Sequence, residues 1–185
     1  MQSNILIPQG STLFIDRDGV INTEKKEDYI YTWDEFVFYP NVLEAFKIFK
    51  NYFDRIIVIT NQRGVGKGKM SEENLLDIHS KMQKAIEDAG SKIDAIFYCI
   101  DVDNASPNRK PNAGMAHQAK AKFPEIDFSR TFMVGNKMSD MQFGKNAGVQ
   151  TVFVATTNPE TLFPHPNINF RFSDVYAFAK ALTKS

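Results

Sequence analysis

The sequence predicts an α/β fold, a mostly parallel sheet doubly wound with helices, and two observations carry that expectation. Apolar runs of strand length recur along the chain with segments of helical spacing between them. Polar clusters stand after four of those runs, three of them immediately and one beyond a loop, which is where ligands meet a parallel sheet. Runs apolar throughout suit strands covered on both faces, and crossover helices supply that cover.

The elements follow in order. Residues 13–15 form the first predicted strand and 42–53 the first helix. Residues 56–59 are the second strand, followed by a helix over 71–89 with Leu75, His79, Met82 and Ile86 on one face. Ser71 suits its N-cap, Glu72 and Glu73 its positive end, and Gly90 its stop. A third strand over 96–100 leads to a helix over 112–123, with Pro111 suited to the first turn. Strands over 132–134 and 152–154 flank a helix over 139–147, and a short strand over 169–172 with a closing helix over 173–182 completes the chain. There is no repeat, low-complexity tract or linker, so residues 1–185 are expected to form one domain.

Composition narrows the function. A chain of 185 residues buries roughly 70% of its unfolded surface, enough for a core without disulfides or a structural metal. The 22 basic and 22 acidic residues cancel, so nothing draws the protein to nucleic acid or anionic lipid as a whole. Cys99 is the only cysteine, which excludes an internal disulfide and a multi-cysteine zinc site. No apolar run approaches the roughly 20 residues of a membrane span, and the first ten residues lack a signal peptide pattern. The expectation is a cytoplasmic protein with no nucleic-acid or membrane partner; its oligomeric state is left open.

The four polar clusters are Asp16-Arg17-Asp18-Gly19, Thr60-Asn61-Gln62, Arg109-Lys110-Pro111 and Gly135-Asn136 with Asp140. Asp16 and Asp18 are two apart, so an extended backbone points both carboxylates to one side, and paired carboxylates attract a cation. The alternative is a solvated Asx turn. Thr60 offers a hydroxyl and an N–H to a phosphate oxygen, or with Asn61 forms only a turn or helix cap. Lys110 is a mobile point charge or a solvated lysine. Asn136 and Asp140 can share one face at the positive end of a helix, or simply cap it.

As a set, FIDRDGVIN, TNQRGVGKG, RKPNAGM and VGNKMSDMQFGKNAGV resemble the motifs of the haloacid dehalogenase-like (HAD) phosphatase superfamily, in the branch containing histidinol-phosphate and heptose-1,7-bisphosphate phosphatases. The likeness covers nearly the whole chain. It implies a Rossmann-like three-layer α/β/α architecture, and the segment 22–39 is too short for a separate cap domain. The resemblance makes Asp16 the nucleophile and Asp18 the general acid/base. It makes Thr60, Asn61, Arg109 and Lys110 the holders of phosphate. Magnesium would be bound by Asp16, the backbone carbonyl of Asp18, and Asn136 with Asp140 from the fourth motif. The implied substrate is a small phosphorylated metabolite, either a sugar phosphate or histidinol phosphate.

Two departures stand out. The fourth motif of the superfamily usually begins Gly-Asp, and this chain has Asn136, an amide where a carboxylate would bind metal. Many members of the branch carry a zinc loop before Arg-Lys-Pro, whereas CIDVDNASPN offers only Cys99, so no zinc is expected. Asn136 also motivates a different reading, a phosphate-binding protein with impaired turnover. A polynucleotide 3'-phosphatase shares the TNQ, glycine-rich and KP motifs, and the neutral charge argues against it.

Other residues carry smaller expectations. Gly64, Gly66 and Gly68 read as a flexible loop on the substrate side, with Lys67 and Lys69 solvated or meeting a second phosphate. His79 reads as a packed, satisfied histidine, and His117 and His165 as surface residues. Phe36, Phe38, Phe46, Phe49 and Phe53 read as core or a packed flap, and the segment around Trp33 as one able to close over the site entrance.

Overall fold

In the computed structural model, which describes residues 4–184, all five apolar runs become neighbours in one sheet. The chain runs β1 (Ile5–Ile7), β2 (Thr12–Ile15), α1 (Val42–Phe49), β3 (Arg55–Asn61), α2 (Arg63–Gly66), α3 (Glu72–Asp88) and β4 (Ala95–Cys99). It continues α4 (Gly114–Lys122), β5 (Thr131–Gly135), α5 (Met138–Ala147), β6 (Gln150–Val154), β7 (Phe170–Phe172), α6 (Val175–Lys180) and β8 (Leu182–Lys184). Single 3-10 turns lie at Trp33–Glu35 and Phe128–Arg130.

The six strands stand in the order β4-β3-β2-β5-β6-β7, each pair parallel. Ile15, the last residue of β2, is registered against Val58 on one side and Val134 on the other. From β2 the chain winds outward through β3 and β4, then returns to place β5 on the opposite side. The strand order therefore reverses at β2, and the crevice beyond its carboxyl end is where such sheets bind ligands.

Alternation along the strands builds two cores. Leu13, Ile15, Ile56, Val58, Val134 and Val152 face one layer with α1, α3 and α6, while Phe14, Ile57, Ile59 and Met133 face another with α4 and α5. Ser71 Oγ accepts from the Asn74 N–H at 3.1 Å, and α3 buries Leu75, Ile78, His79, Met82 and Ile86 on one stripe.

Several boundaries differ from expectation. α1 ends at Phe49, and the next residues turn while Phe53 still packs on Phe49 and Phe132, so apolar spacing marked the core and not the helix end. α4 begins at Gly114, not 112. Pro111 lies outside it after a cis bond, because residues 106–112 are spent in turns closed by Arg109 N to Ser106 O and Asn112 N to Arg109 O. Thr60 and Asn61 are the end of β3 rather than a turn. The glycine-rich stretch is not an open loop, since Arg63–Gly66 is a helical turn in which a Cβ on Gly66 would come within 2.0 Å of the Ile100 carbonyl. β1 and β8 were not anticipated; they pair in parallel where the chain's two ends meet. Trp33 stacks on Phe36 with ring centres 5.0 Å apart, Phe38 meets both rings edge-on, and Trp33 does not line the site.

Candidate active site

Asp16 is the first residue beyond β2, and its N–H still donates to Val134 O on β5 at 2.9 Å. The chain then turns sharply, with the N–H groups of Val20, Ile21 and Asn22 all converging on Arg17 O. Gly19 sits at φ +85 within this turn, and a Cβ there would fall 2.0 Å from Asn136 Nδ2. Only glycine lets the loops after β2 and β5 meet this closely.

Lys110 joins the clusters. It is 3% exposed, and its Nζ lies 2.9 Å from Asp16 Oδ1, 2.7 Å from Asp140 Oδ1 and 2.8 Å from Ile59 O. Three donors meet three acceptors, so the ammonium is fully satisfied. Burial works against its charge, and the carboxylates of Asp140 and Asp16 outweigh burial and raise its pKa. Asp16 is pushed up to about 6 by burial, opposed by Lys110 and reinforced by Asp140. Asp16 Oδ1 also accepts the Arg17 N–H at 2.8 Å, and Oδ2 has no hydrogen-bond partner among the described residues.

Asn61 fixes Lys110 through the backbone: Asn61 Nδ2 donates to Lys110 O at 3.0 Å and the Lys110 N–H donates to Asn61 Oδ1 at 3.0 Å. Thr60, buried at the end of β3, accepts from Gln62 Nε2 at 2.9 Å. Arg109 reaches the cavity while its Nε donates to Asn104 Oδ1 at 3.3 Å. Arg63 donates to Val102 O at 2.8 Å and to Asn104, so two arginines and Asn112 brace the loop that the resemblance associates with zinc. Cys99, the only thiol, is buried beneath it beside Asp101 and Ser106.

Arg17 was not singled out by the sequence, and it organises the site. At 1% exposure it donates from Nη2 and Nε to the carboxylate of Asp18 at 2.8 to 3.2 Å. Asn22 Nδ2 and Gln62 Nε2 add bonds to the same carboxylate at 3.0 and 2.8 Å. Burial would raise the Asp18 pKa, but Arg17 and these donors overcome it and lower it, so Asp18 stands as an ionised acceptor. The only advance signal was the placement of a cation between two carboxylates.

His79 is buried as expected but satisfied at one nitrogen only: Nε2 lies 3.2 Å from Arg17 Nη1, and Nδ1 has no partner among the described residues. Burial first, then the Arg17 charge, push its pKa down to about 3. The folded state thus refuses a proton that the unfolded chain binds below about 6.5, and stability is lost as pH falls from there toward 3, by up to about 1.4 kcal/mol per unit. Unfolding of His79→Gln by denaturant at pH 7 and pH 5 should show a smaller acid loss than wild type, and an equal loss would remove His79 from the balance.

Asp140 lines the cavity and is held at both carboxylate oxygens. Its Oδ1 meets Lys110 and its Oδ2 accepts the Lys137 N–H at 3.0 Å, capping α5. Asn136 is fully buried, with Oδ1 unpartnered among the described residues. Among the described residues no group of three or more His, Cys, Asp or Glu could hold a metal ion. A cation could instead rest on Asp16, the Asp18 carbonyl and the orphaned Asn136 Oδ1, with Asp140 beside them, an oxygen-only set that suits magnesium.

All of this opens into a cavity of about 610 Å³ whose walls include Asp16, Asp18, Thr60, Asn61 and Lys110, with Glu24 to Ile30 from the segment after β2. Lys25, Lys26, Arg63, Lys67, Arg109 and Lys137 line it as well. The residues expected from all four clusters therefore converge, with Asn136 just behind the wall. Glu24 and Lys137 join them unannounced, and Gln62, named in the second cluster without a role, lines the cavity too.

A parallel sheet with an aspartate pair at its switch point and a buried lysine from a distant motif defines the HAD class, and the comparisons agree. A profile of the family described as HAD-hydrolase-like matches residues 107–167, and with relatives above 30% identity the chain belongs to the HAD-like hydrolases, in the branch of the heptose-bisphosphate phosphatases. It is a phosphoric monoester hydrolase. The D-glycero-alpha-D-manno-heptose-1,7-bisphosphate 7-phosphatase of Campylobacter jejuni subsp. jejuni is 35% identical over 144 residues, spanning 77% of this chain and 80% of that one. The D-glycero-beta-D-manno-heptose-1,7-bisphosphate 7-phosphatase of Pasteurella multocida is 34% identical over 157 residues, 80% of this chain and 84% of its own. The crystal structure of D,D-heptose 1,7-bisphosphate phosphatase from B. bronchiseptica, complexed with magnesium and phosphate, superposes with a TM-score of 0.83 at 28% identity, covering 92% of this chain and 96% of that one.

Proposed function

We propose that the protein removes one phosphate from a small sugar bisphosphate, of the kind named for its relatives, by way of a phosphorylated Asp16. The observation that carries this is the convergence of Asp16, Asp18 and Lys110 in one cavity whose walls also carry Lys26, Lys67 and Arg109. In the first step Asp16 Oδ2 bonds to phosphorus as the sugar oxygen leaves with a proton from Asp18. In the second, water attacks the phosphorus of the aspartyl phosphate, Asp18 takes its proton, and inorganic phosphate departs with Asp16 restored.

Lys110 is already in place to neutralise charge on the transferring group. Asp18, held ionised by Arg17, is arranged as the base of the second step. A dianionic phosphate entering beside it raises its pKa and lets it carry the proton needed for the first. Magnesium, held by Asp16, the Asp18 carbonyl and Asn136 Oδ1, would supply further charge neutralisation. Lys26 and Lys67 line the cavity and form no ion pair among the described residues, which suits a second phosphate.

Phosphate release measured with magnesium on sugar bisphosphates, sugar monophosphates, histidinol phosphate and 3'-phosphorylated oligonucleotides tests this. The bisphosphates should give the highest kcat/KM. Preference for the oligonucleotide would replace the reading, and no release from any substrate would favour a non-catalytic binder.

Asn136 bears on the metal. An amide oxygen brings no net charge, so the magnesium requirement should be high, and Asn136→Asp should lower the concentration for half-maximal rate several-fold. An unchanged titration would mean that this side chain does not limit the metal site.

A further inference from the structure

Asn136 has a donor end and an acceptor end, and the fold treats them differently. Nδ2 donates to Thr157 Oγ1 at 2.6 Å and to Glu24 Oε1 at 3.5 Å, while Oδ1 is buried with no partner among the described residues. Both acceptors are themselves held. Thr157 Oγ1 takes a second bond from Asn158 Nδ2 at 3.1 Å, and Asn158 Nδ2 also reaches Asn136 O at 2.9 Å. Glu24 Oε2 is fixed by Lys137 Nζ at 2.6 Å.

An ionised carboxylate only accepts hydrogen bonds, so Glu24 rejects an amide turned with its oxygen outward. A turned amide would also aim two N–H donors at the place where a cation needs an oxygen. Leaving a buried acceptor empty is costly, and such an atom calls for a partner from outside the protein.

We infer that Thr157 and Glu24 are positioning residues that lock the Asn136 amide with Oδ1 presented to the metal, a device required only because this chain has an amide where a carboxylate would be symmetric. The inference rests on the reading of Asn136 as a cation ligand. Thr157 does not touch the metal; it acts through Asn136. The Glu24 carboxylate also places near Asn136 the negative charge that the amide lacks.

The test is magnesium chloride titrated into substrate-free protein, followed by calorimetry and by the shift in melting temperature. Thr157→Val keeps the shape and removes the acceptor, and should weaken magnesium binding about tenfold or more. Thr157→Ser should restore it. In the Asn136→Asp background, where either oxygen serves, Thr157→Val should change affinity less than about twofold. Affinity unchanged by Thr157→Val, or weakened equally in both backgrounds, would overturn the lock. A wild type that takes up no magnesium overturns it as well, and the phosphatase reading is then decided separately by phosphate release.

Discussion

Asp16→Asn should reduce turnover by at least about 10⁴-fold while the protein stays folded. Asp16 supplies the attacking oxygen, and an amide oxygen is too weak a nucleophile to form the phosphorylated intermediate. The fold should survive because Asp16 lies beyond the end of β2, and an Asn there still offers Oδ1 to the Arg17 N–H and to Lys110. The variant also removes a carboxyl whose pKa burial has pushed up to about 6, so at pH 7 it discards an ionised group that the folded state disfavours. Its melting temperature should stay within a few degrees of wild type. Phosphate release and circular dichroism together read the outcome. Full activity in a folded Asp16→Asn protein would remove the covalent mechanism.

Lys110→Met should cost both activity and stability. Its ammonium is the common partner of Asp16 and Asp140, and Met leaves two buried carboxylates facing each other. Breaking a buried pair from one side typically costs about 3 to 5 kcal/mol, and losing a preorganised cation beside the reacting phosphate about 10²- to 10³-fold in kcat. The pH dependence gives the effect a signature. Without Lys110 the Asp16 pKa rises further above about 6, and a carboxyl raised in the folded state stabilises fully below its unfolded value of 3.8 and loses that contribution as pH rises through the folded value. The deficit against wild type should therefore be largest near pH 8 and shrink toward pH 5 in denaturant unfolding. A pH-independent deficit would mean that lost packing, not unpaired charge, is the cause.

The aspartate pair was legible because it stands directly after an apolar run, and the Arg-Lys-Pro motif by its residue types beyond a loop; strand ends on one edge of a parallel sheet are forced together. Asn61 shows where that legibility stops. Its residue type and position fitted a place in the site, and it does line the cavity, but no local pattern announced that its side-chain amide pairs with the Lys110 backbone at both ends. Arg17 shows the same limit in reverse. A charged residue in a short polar motif reads as solvated, and only the approach of α3 with His79 and of Gln62, just beyond β3, buries it and turns it toward Asp18.

By itself the sequence determined the alternation of strands and helices, the two faces of each buried strand, and the residue types that could carry phosphoryl transfer. These follow from local periodicity and from the chemistry of single side chains, which do not depend on distant partners. The tertiary structure alone decided the pairing of β1 with β8, the packing of the glycine-rich turn against Ile100, the commitment of Asp140 to Lys110 and the α5 cap, and which end of the Asn136 amide is left free. Each depends on a residue far away in the chain. A buried polar group takes its role from whichever donors and acceptors the fold brings within about 3 Å, and local sequence holds no record of them.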